Sequence, residues 1–322
     1  MFPEKCALTI CFAHAAYQMK ASFDALNTGI DSFEVRDPAA FERRAPEADV
    51  IVVSGMWHND LLPLASKLRF IQSIGSGTDQ FDKEQLAARN IRLASAAGVN
   101  ARAVSEHAMS LILALSRRLP EARDNQARRV WRGMIGDVSQ REDELTGKTV
   151  LIIGLGRIGG RLAQLAKAFD MNVIGFRRDP ASGKGAADSV HTLGELHQFL
   201  PRADFVVLTC PLTPETREVI DAKALAAMPR SAYLVNAGRG GCVAEPHLIE
   251  ALAQHRIAGA ALDCTADEPL PPGSPLWDMP HVFITPHTGG ETRKYEGNVN
   301  EILLENLSRL WRGEARLLNQ II

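Results

Sequence analysis

Residues 149–169 read TVLIIGLGRIGGRLAQLAKAF: an apolar run, then Gly154, Gly156 and Gly159 in a G-x-G-x-x-G spacing, then a stretch with Ile158, Leu162, Leu165 and Phe169 on one helical face. Glycines so placed permit a tight turn, close backbone approach to a pyrophosphate and close packing of helix on sheet. The helix N-terminus adds free N–H groups and a favourable dipole for an anion. The spacing alone also serves a plain strand-to-helix turn; strand, turn, helix and next strand in that order give it meaning. The segment therefore predicts a parallel α/β sheet that binds a dinucleotide at Gly154, Gly156, Arg157, Ile158 and Gly159.

The rest of the chain fits that frame. Short runs rich in Val and Ile alternate with longer amphipathic stretches, as in parallel sheets covered by helices on both faces. In the first hundred residues the strand candidates are 6–13, 49–55, 68–75 and 91–98, with a helix over 83–89. A second series, 149–154, 172–177, 205–210, 232–236, 260–264 and 282–285, supplies six strands, the number in a complete dinucleotide-binding sheet. Residues 103–118 predict a buried helix joining the two series. Residues 293–312 carry Val299, Ile302, Leu303, Leu307 and Leu310 at helical spacing and are expected to return to the first unit. The expected architecture is a doubly wound dinucleotide-binding domain (103–292) inserted into a smaller flavodoxin-like α/β substrate domain (1–102 and 293–322), with catalysis in the cleft between them.

At 322 residues the chain suits two domains. A net charge of −2 offers no general attraction to nucleic acid or an anionic membrane. The arginines between Arg117 and Arg132 are interspersed with Glu121 and Asp124, which favours a solvated or subunit-contact face. Five scattered cysteines, Cys6, Cys11, Cys210, Cys242 and Cys264, suggest reduced core thiols rather than disulfides or a metal site. No leader or membrane span is expected, and the location implied is cytoplasmic.

The second strand of the dinucleotide unit ends in NVIGFRRDP, residues 172–180. A carboxylate in this place normally binds the adenosine ribose. Here Arg177 and Arg178 stand there, which suits a 2′-phosphate and makes NADP the favoured cofactor. NAD is the alternative if the strand runs further and Asp179 becomes the ribose ligand.

Three segments close apparent strand C-termini, where parallel sheets bind ligands: NAGRGG around Arg239, LDCTADEPLP around Glu268 and ITPHTGG around His287. Hydride transfer to a 2-keto acid leaves negative charge on the carbonyl oxygen, so the site needs a proton donor and a cation for the carboxylate. His287 and Arg239 are such groups, and a carboxylate such as Glu268 would fix the imidazole tautomer and favour its protonated form. Singly, each has a plainer explanation: a surface ion pair, a loop charge, a satisfied buried histidine. Trp57, after the second strand, is a weak candidate for shaping a substrate pocket, and His107 reads as a hydrogen-bonded core histidine.

Together the segments resemble the D-isomer-specific 2-hydroxyacid dehydrogenase family, which includes glyoxylate/hydroxypyruvate reductases. The resemblance runs from GSGTD at 75–79 through residues 100–106, the glycine turn, PLTPET at 211–216, and the Arg239, Glu268 and His287 segments. It implies that Arg239 binds substrate, Glu268 partners the histidine and His287 is the acid/base. The backbone at Ser76 and Gly77 would hold the substrate carboxylate. Asp263 and Ala237 would face the nicotinamide end with Val104 near its ring, and Cys210, Pro211 and Thr216 the adenosine side. The implied activity is reduction of glyoxylate, hydroxypyruvate or pyruvate to the D-hydroxy acid by a homodimer without metal, nucleic acid or membrane. Formate dehydrogenases of the family differ, carrying glutamine where Glu268 stands. The regulatory domain of some phosphoglycerate dehydrogenases is not expected. The rival reading is a dinucleotide-sensing binding protein of the corepressor type on the same fold.

Overall fold

The computed structural model describes residues 2–322. The chain divides into two compact units, Met1–Asn100 with Thr292–Ile322, and Ala101–Glu291.

In the first unit β1 (Thr9–Ala13), β2 (Asp31–Val35), β3 (Val50–Val53), β4 (Phe70–Ser73) and β5 (Arg92–Ala94) form a parallel sheet in the order β2-β1-β3-β4-β5. This is the flavodoxin-like order. The central strands β3 and β4, VIVV and FIQS, are buried at every position, as parallel strands covered on both faces must be. The helix Tyr295–Trp311 places Val299, Leu303 and Leu307 wholly in this core, with Tyr295 Oη donating to the Ile74 carbonyl. Past it, the segment at 319–322 runs along β5: Ser95 N donates to Asn319 O, and Ile321 N to Leu93 O.

Four strands were expected here and five are present. The additional one, β2, has the sequence DSFEV and lies at the sheet edge, where one face meets water and the apolar run gives way to alternation. The run predicted from residue 6 begins later, because Lys5–Ala7 forms a 3₁₀ turn. Cys6 lies on that turn and is exposed, unlike the other four cysteines, so it is not the core thiol expected. Trp57 is core rather than pocket: it is 4% exposed, packs on Phe81 with ring centroids 5.5 Å apart, and donates from Nε1 to Asn59.

The second unit holds β6 (Thr149–Ile153), β7 (Asn172–Phe176), β8 (Ser189–His191), β9 (Phe205–Leu208), β10 (Tyr233–Asn236), β11 (Gly259–Leu262) and β12 (Val282–Ile284), all parallel, in the order β12-β11-β10-β9-β6-β7-β8. Seven strands replace the six expected. The seventh, β8, is a three-residue edge strand with no fully buried residue, too short for a periodicity to register. The order reverses between β6 and β9, the point where doubly wound sheets open a ligand crevice. The helix Ala101–Ser116 covers one face with Val104, Ala108, Leu111 and Ile112 buried, packed with Leu162, Ala163 and Ala166 of the helix Arg157–Ala168. Burying a Leu or Ile side chain contributes about 1.5–3 kcal/mol, so this layer fixes the sheet ends that carry the candidate site. Among the described residues no helix is long and apolar enough to cross a membrane.

Candidate active site

The glycine turn is built around the switch point. Gly154 has φ +105°, and a Cβ there would lie 2.5 Å from the backbone N of Cys210 on the far side of the crevice. A Cβ at Gly159 would stand 2.4 Å from the Gly154 carbonyl. Sheet and helix packing therefore account for these two glycines. Gly156 differs: a Cβ there would meet nothing within 4 Å. Its missing side chain leaves open space over the N-terminus of the helix Arg157–Ala168, the cradle a pyrophosphate needs. Arg157 is exposed beside it, while Ile158 is half-buried against the core.

From this turn a cavity of about 480 Å³ runs past Phe176, Arg177, Arg178 and Asp179 on one side and Thr209, Cys210, Pro211 and Thr216 on the other. β7 ends at Phe176, so Arg177 is the first residue beyond the strand. Its Nη1 donates to the Gly183 carbonyl at 3.1 Å. The Asp179 carboxylate is engaged locally, accepting from Ser182 Oγ at 2.7 Å and Ala181 N at 3.0 Å. Those bonds, and the Arg177 charge, hold its carboxyl below the usual range. Thr216 Oγ1 donates to the Pro211 carbonyl and accepts from Thr213 N, closing the turn between them. Sequence reasoning missed Thr192, Leu193 and Glu215 on the cavity wall. Glu215 accepts from Thr213 Oγ1 at 2.7 Å, and its carboxyl is lowered by that bond and by Arg178. A second hollow of similar volume lies at the opposite end of the sheet, against Tyr233, His281 and Val282.

Arg239, Glu268 and His287 follow the neighbouring strands β10, β11 and β12. His287 Nδ1 lies 2.7 Å from Glu268 Oε2, and the other carboxylate oxygen accepts the Thr265 amide at 3.1 Å. The imidazole is 43% exposed, so it is not the buried histidine of the plainer explanation. His287 has φ +55°, uncommon for a non-glycine residue, with its amide bonded to Thr285 O. Arg239 is exposed, donates from Nη1 to the Gly238 carbonyl, and forms no ion pair among the described residues. Most of its donors are therefore available.

Two buried polar residues organise these loops. Asn236, at the end of β10, donates to the carbonyls of Arg239 and Cys264 and accepts the Gly238 amide. Asp263, after β11, accepts from Thr285 Oγ1 at 2.6 Å and from the Thr288 and Gly289 amides at 3.1 Å, on both sides of His287. His107 Nε2 lies 2.9 Å from Thr285 Oγ1 and 3.2 Å from Asp263 Oδ1. Since the threonine hydroxyl donates to the carboxylate, its oxygen accepts from His107, which fixes the Nε2–H tautomer. Burial alone would raise the Asp263 carboxyl, but the bonds from His107, Thr285 and Gly289 outweigh it and hold it below the usual value. Asp263 thus spends its carboxylate on the protein itself. Ala237 and Val104 are 6% exposed and pack in the same core.

In the first unit Ser76 is exposed and Gly77 half-buried on the turn after β4. Among the described residues neither amide has a hydrogen-bond partner, the condition for a backbone anion site. Cys264, Glu268 and His287 each offer one ligand atom within 4.8 Å of the others, the one such cluster among the described residues.

A doubly wound sheet with a glycine-turn crevice, flanked by an arginine and a His–Glu pair, has the features of a dinucleotide-binding site. The family model for the D-isomer specific 2-hydroxyacid dehydrogenase NAD binding domain matches residues 109–289, and the chain belongs to that family. It is 37% identical over 273 residues to a D-3-phosphoglycerate dehydrogenase of Methanocaldococcus jannaschii, covering 83% of this chain and 51% of that one. The chain thus spans about half the length of the phosphoglycerate dehydrogenases it matches. A glyoxylate/hydroxypyruvate reductase B of Pectobacterium carotovorum is 34% identical over 291 residues, 90% of this chain and 89% of that one. Among solved structures, an NADPH-dependent glyoxylate/hydroxypyruvate reductase of Sinorhizobium meliloti, in complex with NADP and malonate, superposes with a TM-score of 0.79 at 25% identity. That match covers 98% of this chain and 97% of the other.

Proposed function

We propose that the chain is a reductase of small 2-keto acids of the glyoxylate, hydroxypyruvate or pyruvate type, and that it prefers NADPH. The observation that carries the reading is the 2.7 Å His287–Glu268 contact on the loops beside an arginine that makes no ion pair among the described residues. The dinucleotide fits the residues present: the open cradle at Gly156 for the pyrophosphate, in a turn that Gly154 and Gly159 keep tight, and Cys210, Pro211 and Thr216 along the adenosine side. When bound, the reduced nicotinamide supplies the hydride. With Nδ1 turned to Glu268, His287 keeps Nε2 as the atom that delivers a proton to the carbonyl oxygen. Arg239 grips the keto acid through a planar, potentially bidentate fork. The free amides of Ser76 and Gly77 support a carboxylate-binding role for that turn.

The cofactor preference rests on Arg177 and Arg178 beyond β7, with Asp179 occupied in its own turn. The Sinorhizobium reductase, whose structure contains NADP, supports it. A homodimer is proposed on the apolar residues left in solvent near the helix Leu119–Ala127: Trp131 is 97% exposed, and Met134 and Val138 are exposed as well. Cytoplasmic placement is proposed because all five cysteines are unpaired.

The test is a panel of 2-keto acids assayed with NADPH and with NADH. Turnover of at least one small acid is expected, and Arg239→Lys should lose most of it, since lysine offers only a point charge. Tight dinucleotide binding with no turnover of any acid would favour the sensor reading instead.

A further inference from the structure

Cys210 and Cys242 place their sulfurs 3.9 Å apart, although 32 residues separate them in sequence. Neither has a part in the proton transfer described above. Cys210 is in the wall of the cofactor cavity. Cys242 closes the tight turn Gly240–Cys242 immediately after Arg239, its amide donating to the Arg239 carbonyl. The backbone at Cys210 has little room to move: a Cβ on Gly154 would lie 2.5 Å from its N, and one on Gly238 would lie 2.8 Å from its carbonyl oxygen. Any motion that draws the sulfurs together therefore falls on their side chains and on the turn that carries Arg239.

We propose that Cys210 and Cys242 are a reversible redox pair: peroxide joins them in a disulfide that distorts the Arg239 turn, and dinucleotide in the cavity prevents it. A disulfide needs the sulfurs about 1.9 Å closer than they stand.

The chemistry begins from a shared proton. The bond from Cys210 lowers the Cys242 thiol against its burial, helped by Thr216 and the Arg239 charge, and the same bond raises Cys210. The thiolate therefore stands on Cys242, in contact with the Cys210 thiol at the cavity wall. That thiolate attacks hydrogen peroxide that enters the cavity; the O–O bond breaks, and the departing hydroxide takes the Cys210 proton to leave as water. Cys210, now deprotonated, attacks the sulfenic sulfur on Cys242; the S–O bond breaks, and the hydroxide released takes a proton from solvent to leave as a second water. Two thiols and one peroxide give one disulfide and two waters, the sulfurs losing two electrons. A dithiol reductant reverses it by exchange. Cys264 is a poor competitor, since burial pushes its thiol up to about 12.

The experiment treats the full chain with hydrogen peroxide, with and without saturating NADPH, and maps peptides under non-reducing conditions. A linked Cys210–Cys242 peptide lighter by two hydrogens is expected, forming at least fivefold more slowly with NADPH present. Keto-acid turnover should fall at least tenfold and return with dithiothreitol. Cys242→Ala should keep its turnover and lose that reversible sensitivity. Absence of the linked peptide, equal rates with and without NADPH, full turnover in the linked protein, or unchanged sensitivity in Cys242→Ala would each overturn the proposal. The turnover arm rests on the function proposed above; the peptide map needs no turnover and no variant, so the two readings fail separately.

Discussion

One oxygen of Glu268 meets His287 Nδ1 at 2.7 Å while the other is held by the Thr265 amide, so the carboxylate that orients the imidazole is itself fixed by backbone. The pair is a small rigid lever acting on one proton.

Removing the charge while keeping the shape exposes its purpose. In Glu268→Gln the imidazole keeps a neighbour of the same shape but loses the anionic acceptor that fixes its orientation and tautomer. The kcat of keto-acid reduction and of hydroxy-acid oxidation should therefore both fall, with dinucleotide affinity little changed. His287→Ala should remove most turnover while dinucleotide binding persists. An unchanged kcat in Glu268→Gln would take Glu268 out of this role.

Cofactor choice should turn on one residue. A well-formed charge-assisted hydrogen bond contributes about 1.5–3 kcal/mol, or roughly a tenfold to hundredfold preference. Arg177 already gives one donor to Gly183, and Glu215 brings a carboxylate to the same cavity, so the lower part of that range is expected. Arg177→Asp should reverse or abolish the NADPH preference, measured as the ratio of catalytic efficiencies at matched ionic strength. A wild type that prefers NADH would refute the assignment.

Asp263 makes the loop around His287 sensitive to acid. Its carboxyl is held below the ordinary value near 3.8, so its charge stabilises the fold above that pH, and the contribution fades as pH falls through the lowered value. Asp263→Asn leaves donors facing a group that cannot accept from all of them, a cost of about 2 kcal/mol. A melting temperature lower by roughly 4–8 °C at pH 7 follows for a unit of this size. The gap between wild type and variant should narrow below pH 3.8. Calorimetry at pH 7 and pH 3 checks both; a gap that stays constant would show that the charge is not what stabilises the loop.

The sequence disclosed the interior of this fold more readily than its margins. The strands it failed to announce, Asp31–Val35 and Ser189–His191, are both sheet edges, where one exposed face dilutes the apolar run. Arg239, Glu268 and His287 were legible because each sits in a short polar segment directly after an apolar one. The residues that aim them were not. Asn236 reads as the last letter of an apolar strand, and His107 meets Thr285 across 178 positions, a distance no local pattern spans. Cys242 likewise acquires its chemistry only from a neighbour 32 residues away.

The pairing of residues 319–322 with β5, and of the helix Tyr295–Trp311 with the core beneath it, sets a timetable for synthesis. All of Ala101–Glu291 leaves the ribosome before the residues that complete the first unit. Until then the nascent first hundred residues lack the apolar cover that Val299, Leu303 and Leu307 provide, while all of Ala101–Glu291 has already been made. The part of the chain translated first is thus the part finished last, and it is there that a chaperone would find its grip.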